Sequence, residues 1–162
     1  MGFAISVLVL VSALFPDTTR ECSTTQPNGI HAGGEPDAPS SYGSRQLSTF
    51  LWSEGTVVFK PHGSGFRTPD GSLGMKFPWW RGEGVRGFLR IEGRRLDGEA
   101  PPLRSEFQDY GDRGFQATYV IFPTPGCWEV TGRAGDASIT FVTQVVKIGD
   151  GPSWRREPRY RR

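Results

Sequence analysis

Glycine and proline limit this chain more than any other feature. Its 162 residues include 22 Gly and 13 Pro, which interrupt the chain every few residues. An interior Gly or Pro costs a helix about 1 or 3 kcal/mol respectively. Long helices are therefore excluded, and short strands joined by turns remain. The apolar residues between the breaks fit this reading. QLSTFLW and TVVFK flank Ser53-Glu54-Gly55 and read as two strands of a hairpin. VRGFLRIEGRRL sets Phe88, then Leu89 and Ile91, among Arg86, Arg90 and Glu92, a period-two texture with one apolar face. In CWEVTGRAGDASITFVTQVVKI, Cys127, Glu129 and Thr131 alternate with Trp128 and Val130. Gly135-Asp136 supplies a turn there, and Ile139, Phe141 and Val145 mark the return strand.

Between these strands the chain reads as loop. Residues 61–84 carry the turn Pro69-Asp70-Gly71 and leave room for one short strand. Residues 97–114 contain Pro101-Pro102, which no central strand accepts. The pattern predicts an all-β fold, a single antiparallel β-sandwich of immunoglobulin-like type over residues 45–150. The closing hairpin supports the class, although the spaced Cys, Trp and Cys of antibody domains are absent.

The two ends differ from this middle. The run GFAISVLVLVSALF, residues 2–15, has the length of a signal-peptide core and is short for a bilayer span, so residues 1–21 read as an export segment. No basic residue precedes it, and a hydrophobic strand or an uncleaved anchor is the alternative. Residues 22–44 are polar and rich in Pro, Gly, Ser and Thr, the composition of an extended arm. Residues 151–162 form a tail that includes SWRREPRYRR, whose five Arg against one Glu account for the chain's net charge of +2. It reads as a disordered solubilising end.

FKPHGSGF, DGSLGMKFPWW, IEGRRLDGEAPPLR and FPTPGCWEVTGRAGDASITFV together resemble a family of uncharacterised exported bacterial proteins, over roughly residues 22–150. The resemblance implies a secreted or lipoprotein-type β-sandwich and transfers no activity, ligand or catalytic residue.

Cys22 and Cys127 are the only cysteines. In an exported chain a disulfide between them is the leading reading. Two free thiols, or lipidation of Cys22, stand against it, though Thr19-Arg20-Glu21 are poor residues for a lipidation signal. Phe77, Trp79 and Trp80 in MKFPWWRG are the candidate binding residues, because adjacent aromatics in a Pro- and Gly-bounded loop offer a flat platform to a sugar or a partner side chain. The plainer alternative has one indole capping the sandwich and its neighbour half-exposed.

Gly82 to Gly87 match G-x-G-x-x-G, but a loop precedes them and a strand follows, which is not a dinucleotide site. His31 and His62 sit in separate loops without ligand spacing, even with Met75 or Asp70 added, so no metal or other cofactor is expected. Glu99, Glu106, Asp109 and Asp112 lack a calcium-loop pattern. No nucleophile or zinc-protease motif occurs.

These observations predict an exported, non-catalytic, monomeric binding module. It would engage a protein or glycan at the bacterial cell envelope or in the periplasm, take no nucleic acid, and touch the membrane only through an N-terminal anchor. A carbohydrate-binding module built on Phe77, Trp79 and Trp80 is the second reading. A small periplasmic hydrolase using Asp109 and Asp112 is the third.

Overall fold

A computed structural model describes residues 21–33, 38–150 and 154–156. The export segment expected up to residue 21 lies outside them except for Glu21. Among the described residues no helix is long and apolar enough to cross a membrane.

Two sheets pack face to face. One contains β1 (Ser41–Gly43), β2 (Leu47–Phe50), β4 (Phe66–Arg67), β5 (Leu73–Arg81), β7 (Arg104–Phe107), β8 (Phe115–Phe122) and β11 (Arg155–Arg156). The other runs β3-β10-β9-β6, from β3 (Thr56–Phe59), β10 (Ala137–Lys147), β9 (Gly126–Ala134) and β6 (Arg90–Arg95). Most pairings are antiparallel; β3 lies parallel to β10, and β11 parallel to β4. The expected β-sandwich is the observed fold.

Side-chain alternation explains how the sheets meet. Along β5, Met75, Phe77, Trp79 and Arg81 are buried, while Lys76 is exposed and Pro78 and Trp80 are half-buried. From the facing sheet, Trp128, Val130, Ile139, Phe141 and Val145 complete the core with Val57 and Phe59 of β3. Each fully buried side chain of this size stabilises the fold by about 1.5–3 kcal/mol. The Gly135-Asp136 turn and the inward phase of Trp128 and Val130 are as the sequence predicts. Leu89 and Ile91 are buried as well, whereas Phe88 is 74% exposed.

Gly132 on β9 leaves room for Trp79 of the facing sheet. A Cβ there would overlap the six-membered ring of Trp79. Gly132→Ala should therefore destabilise the fold by about 1–3 kcal/mol, the usual cost of overpacking. A urea midpoint that moves down with unchanged slope checks this; an unmoved midpoint refutes it.

Four expectations need correction. QLSTFLW and TVVFK do not pair: β2 joins one sheet and β3 the other, and a single 3-10 turn at Ser53–Gly55, with Glu54 at φ 53°, carries the chain between them. Residues 61–84 are not mainly loop, because the nine-residue β5 lies within them. The stretch 97–114 holds β7, which avoids the prolines by starting after them and taking the sheet's edge. At the C-terminus, Arg155–Arg156 pair with β4 and Trp154 is half-buried, with the Arg67 guanidinium 5.8 Å from its ring. The remainder of the expected disordered tail, residues 151–153 and 157–162, lies outside the described residues.

The polar arm is part of the domain, and its last residues form β1. Cys22 is disulfide-bonded to Cys127, with Cα atoms 5.4 Å apart. The Thr25 N–H donates to the Val142 carbonyl at 2.9 Å, and the Val142 N–H donates back to the Thr25 hydroxyl at 2.8 Å. This fixes the arm beside β10. Farther on, the Ala32 N–H donates to the Ser48 hydroxyl, which places the arm over the other sheet.

Candidate functional site

The outer face of the β5 sheet carries a run of neighbouring aromatic rings. Register creates it, since Trp80 pairs with Ser48 on β2 and with Phe115 on β8, and directly paired residues project from the same face. Phe50, two residues beyond Ser48, falls on that face too. Ring centroids lie 4.7 Å apart for Phe50 and Trp80, 5.2 Å for Trp80 and Phe115, and 5.3 Å for Phe115 and Tyr110. The arm adds His31, 4.4 Å from Trp80, with its Nδ1 2.6 Å from the Ala32 carbonyl. Trp80 and Phe50 are half-buried, and Phe115 and Tyr110 are 37% and 44% exposed.

This arrangement corrects the expected platform. Phe77 and Trp79 are 1% and 0% exposed and pack against Phe141, so neither can meet a ligand. The reason is strand geometry: successive side chains of β5 point to opposite faces, so two adjacent tryptophans cannot share one. Of the three, Trp80 alone lies on the outer face. Phe50, Phe115 and Tyr110 were invisible as partners because only strand register brings them beside it.

One end of the face is set by Arg81. Its side chain is buried, and its guanidinium donates to four backbone carbonyls: Gly114 from Nε at 3.2 Å, Gly87 and Gly111 from Nη1 at 3.0 and 3.1 Å, and Arg113 from Nη2 at 3.0 Å. Burial pushes the guanidinium below its ordinary pKa, and the Asp112 charge partly offsets this. Arg81 therefore ties the β5–β6 loop to the β7–β8 loop, next to Tyr110 and Phe115. The cation serves the backbone of those loops, not a carboxylate.

The other sequence candidates separate. His31 lies under the aromatic run, while His62 sits at φ 61° in the β3–β4 turn. No three His, Cys, Asp or Glu residues gather as metal ligands among the described residues. Asp112 lies 3.9 Å from Arg86, and Asp109 accepts the Gly111 N–H at 3.1 Å. Asp109 is thus held within its own loop, and Asp112 faces a cation of the β5–β6 connection. Gly82 to Gly87 form the connection from β5 to β6, with a strand on either side. No protein-family model matches the chain, and no curated protein matches it.

Proposed function

We propose that this chain is an exported, non-catalytic binding module of the bacterial cell envelope, and that it engages a partner protein through the aromatic face centred on Trp80. The observation that carries the reading is the contiguous run Phe50, Trp80, Phe115 and Tyr110 on the outer side of a sheet. Partly exposed aromatic residues supply contact area at low entropic cost. The rings tilt against one another, with interplanar angles of 38°, 55° and 88°. A ridged surface of this kind suits interlocking side chains better than the flat face of a sugar ring. The disulfide fits an oxidising compartment.

An immunoglobulin-like assignment within the sandwich class belongs to the same proposal. Its support is strand order: β2-β5-β8-β7 against β6-β9-β10 follows the A-B-E-D and C-F-G arrangement of that fold. The Trp128 Nε1–H also donates to the Thr124 carbonyl at 3.0 Å, bracing the corner where β8 passes to β9. In immunoglobulin domains a tyrosine hydroxyl braces the equivalent corner.

The test places a photo-crosslinking amino acid at position 115 in cells of an exporting host. A discrete adduct is expected from position 115, lost in Trp80→Ala and absent when the crosslinker stands at Thr131 on the opposite sheet. No adduct, or the same adduct from both positions, refutes the reading. Binding of a glycan panel that Trp80→Ala abolishes would replace the protein partner with a sugar. Turnover of ester, peptide or glycoside substrates that a single substitution abolishes would overturn the non-catalytic assignment. Because Trp80 is only half-buried, Trp80→Ala itself should cost about 1–2 kcal/mol, leaving the variant folded for the comparison.

A further inference from the structure

The β5 sheet has a breach on one side. β4 pairs with β5 only at Leu73 and Gly74, and β2 only from Trp79 onward, so Met75 to Pro78 have no strand beside them on that edge. The alternation of hydrogen bonds shows which groups face the opening. Arg81 N–H donates to Gly114 on the β8 side and Gly82 N–H to Gln46 on the β2 side, so Lys76 and Pro78 turn their backbone polar groups toward the breach. Pro78 brings no N–H, and Thr49 caps its carbonyl at 2.8 Å. Lys76 therefore presents both its N–H and its C=O at the opening.

A cavity of about 510 Å³ occupies this breach, reaching inward to Met75 and walled by Phe50, Trp52, Pro78 and Tyr119. Past Trp52 and Met75 it meets a second hollow of about 620 Å³, bordered by Val58, Lys60 and His62. Each is of the size that holds a small ligand. Their charged side chains are of one sign only: Lys76 and Arg155 border the first, Lys60 and Arg155 the second, and no carboxylate lines either. None of these three cations has an ion pair among the described residues. Elsewhere on the surface Arg86, Arg94, Arg95, Arg104, Arg133 and Lys147 are paired, while Arg90, Arg113 and Arg156 likewise have no ion pair among the described residues but border neither hollow.

We propose that this cleft binds an apolar carboxylate of the fatty-acid type. Its hydrocarbon body lies against Phe50, Trp52 and Met75, and its carboxylate sits between Lys76 and Arg155. The apolar walls favour a water-poor occupant, and the rim cations, which have no ion pair among the described residues, favour one with an anionic end. The site is separate from the Trp80 face apart from Phe50, which borders both.

Decanoate below its micellisation concentration is the probe, followed by calorimetry and amide chemical shifts on the oxidised full chain. Saturable one-to-one binding is expected, with shifts confined to the segments around Phe50 to Trp52, Met75 to Pro78 and Tyr119. Decanol should bind at least about tenfold more weakly, and Lys76→Gln with Arg155→Gln should weaken decanoate by a similar factor, because both changes remove the charge attraction. Arg90→Gln, which removes an exposed cation from the opposite sheet, should leave decanoate affinity unchanged. Absence of saturable binding, equal binding of decanol, indifference to the double substitution, or shifts centred elsewhere would each overturn the proposal.

Discussion

Breaking the Cys22–Cys127 bond should lower the free energy of unfolding by about 4–5 kcal/mol. The bond closes a loop between positions 105 apart in sequence. Without it the unfolded chain regains the entropy that closure had removed, and this penalty grows with loop length. The folded side loses as well, because the arm beyond Cys22 buries few large apolar residues and is held to β10 by the hydrogen bonds around Thr25. Cys22→Ala with Cys127→Ala, compared with wild type in urea, gives the number. A loss under about 1 kcal/mol would mean the arm docks without its staple. The intact mass from an exporting host checks the premise, since two alkyl groups should be gained only after reduction.

The second large effect is expected at Arg81. Arg81→Met should cost about 3–5 kcal/mol, the sum expected when several carbonyl acceptors lose the one side chain that donates to them. The change deletes a cation and strands the carbonyls of Gly87, Gly111 and Arg113, while the Gly114 carbonyl keeps the backbone N–H of residue 81. A buried acceptor left without a donor costs about 1–3 kcal/mol, less where the loop opens to water. Arg81→Lys should recover less than half of the loss, because an ammonium has three donors and lacks the planar fork that reaches carbonyls in two loops. Amide exchange in residues 83–88 and 108–114 should accelerate in both variants while the β9–β10 hairpin stays protected. Uniform acceleration, or a cost near zero, would show that Arg81 does not organise these loops.

The residues that could be read from sequence are those whose neighbours are also their neighbours in space. The β9–β10 hairpin is one case. Its alternation, its two-residue turn and its inward residues are local properties, and the structure repeats them. The Ser53-Glu54-Gly55 signal marks a turn but not a hairpin, because a tight turn fixes where the chain bends and not which sheet receives the next strand. β5 was hidden by Pro78, a residue that normally excludes a central strand. It is tolerated here because its missing N–H falls on the interrupted edge, a fact of pairing that no local pattern carries.

The aromatic site divides along the same line. Composition and punctuation determined by themselves that the chain is all-β, that it turns at Asp70-Gly71 and at Gly135-Asp136, and that Trp128 faces inward; these follow from backbone preferences and period-two burial, which act within a few residues. Tertiary structure alone decided that Trp79 is core while Trp80 is surface. It also placed Phe50, Phe115 and Tyr110 beside Trp80, let Arg81 serve four carbonyls of two loops, and opened a cationic cleft between β2 and β4. Each of these depends on strand register and on which strands pair, and pairing between distant segments is settled by burial across the whole domain.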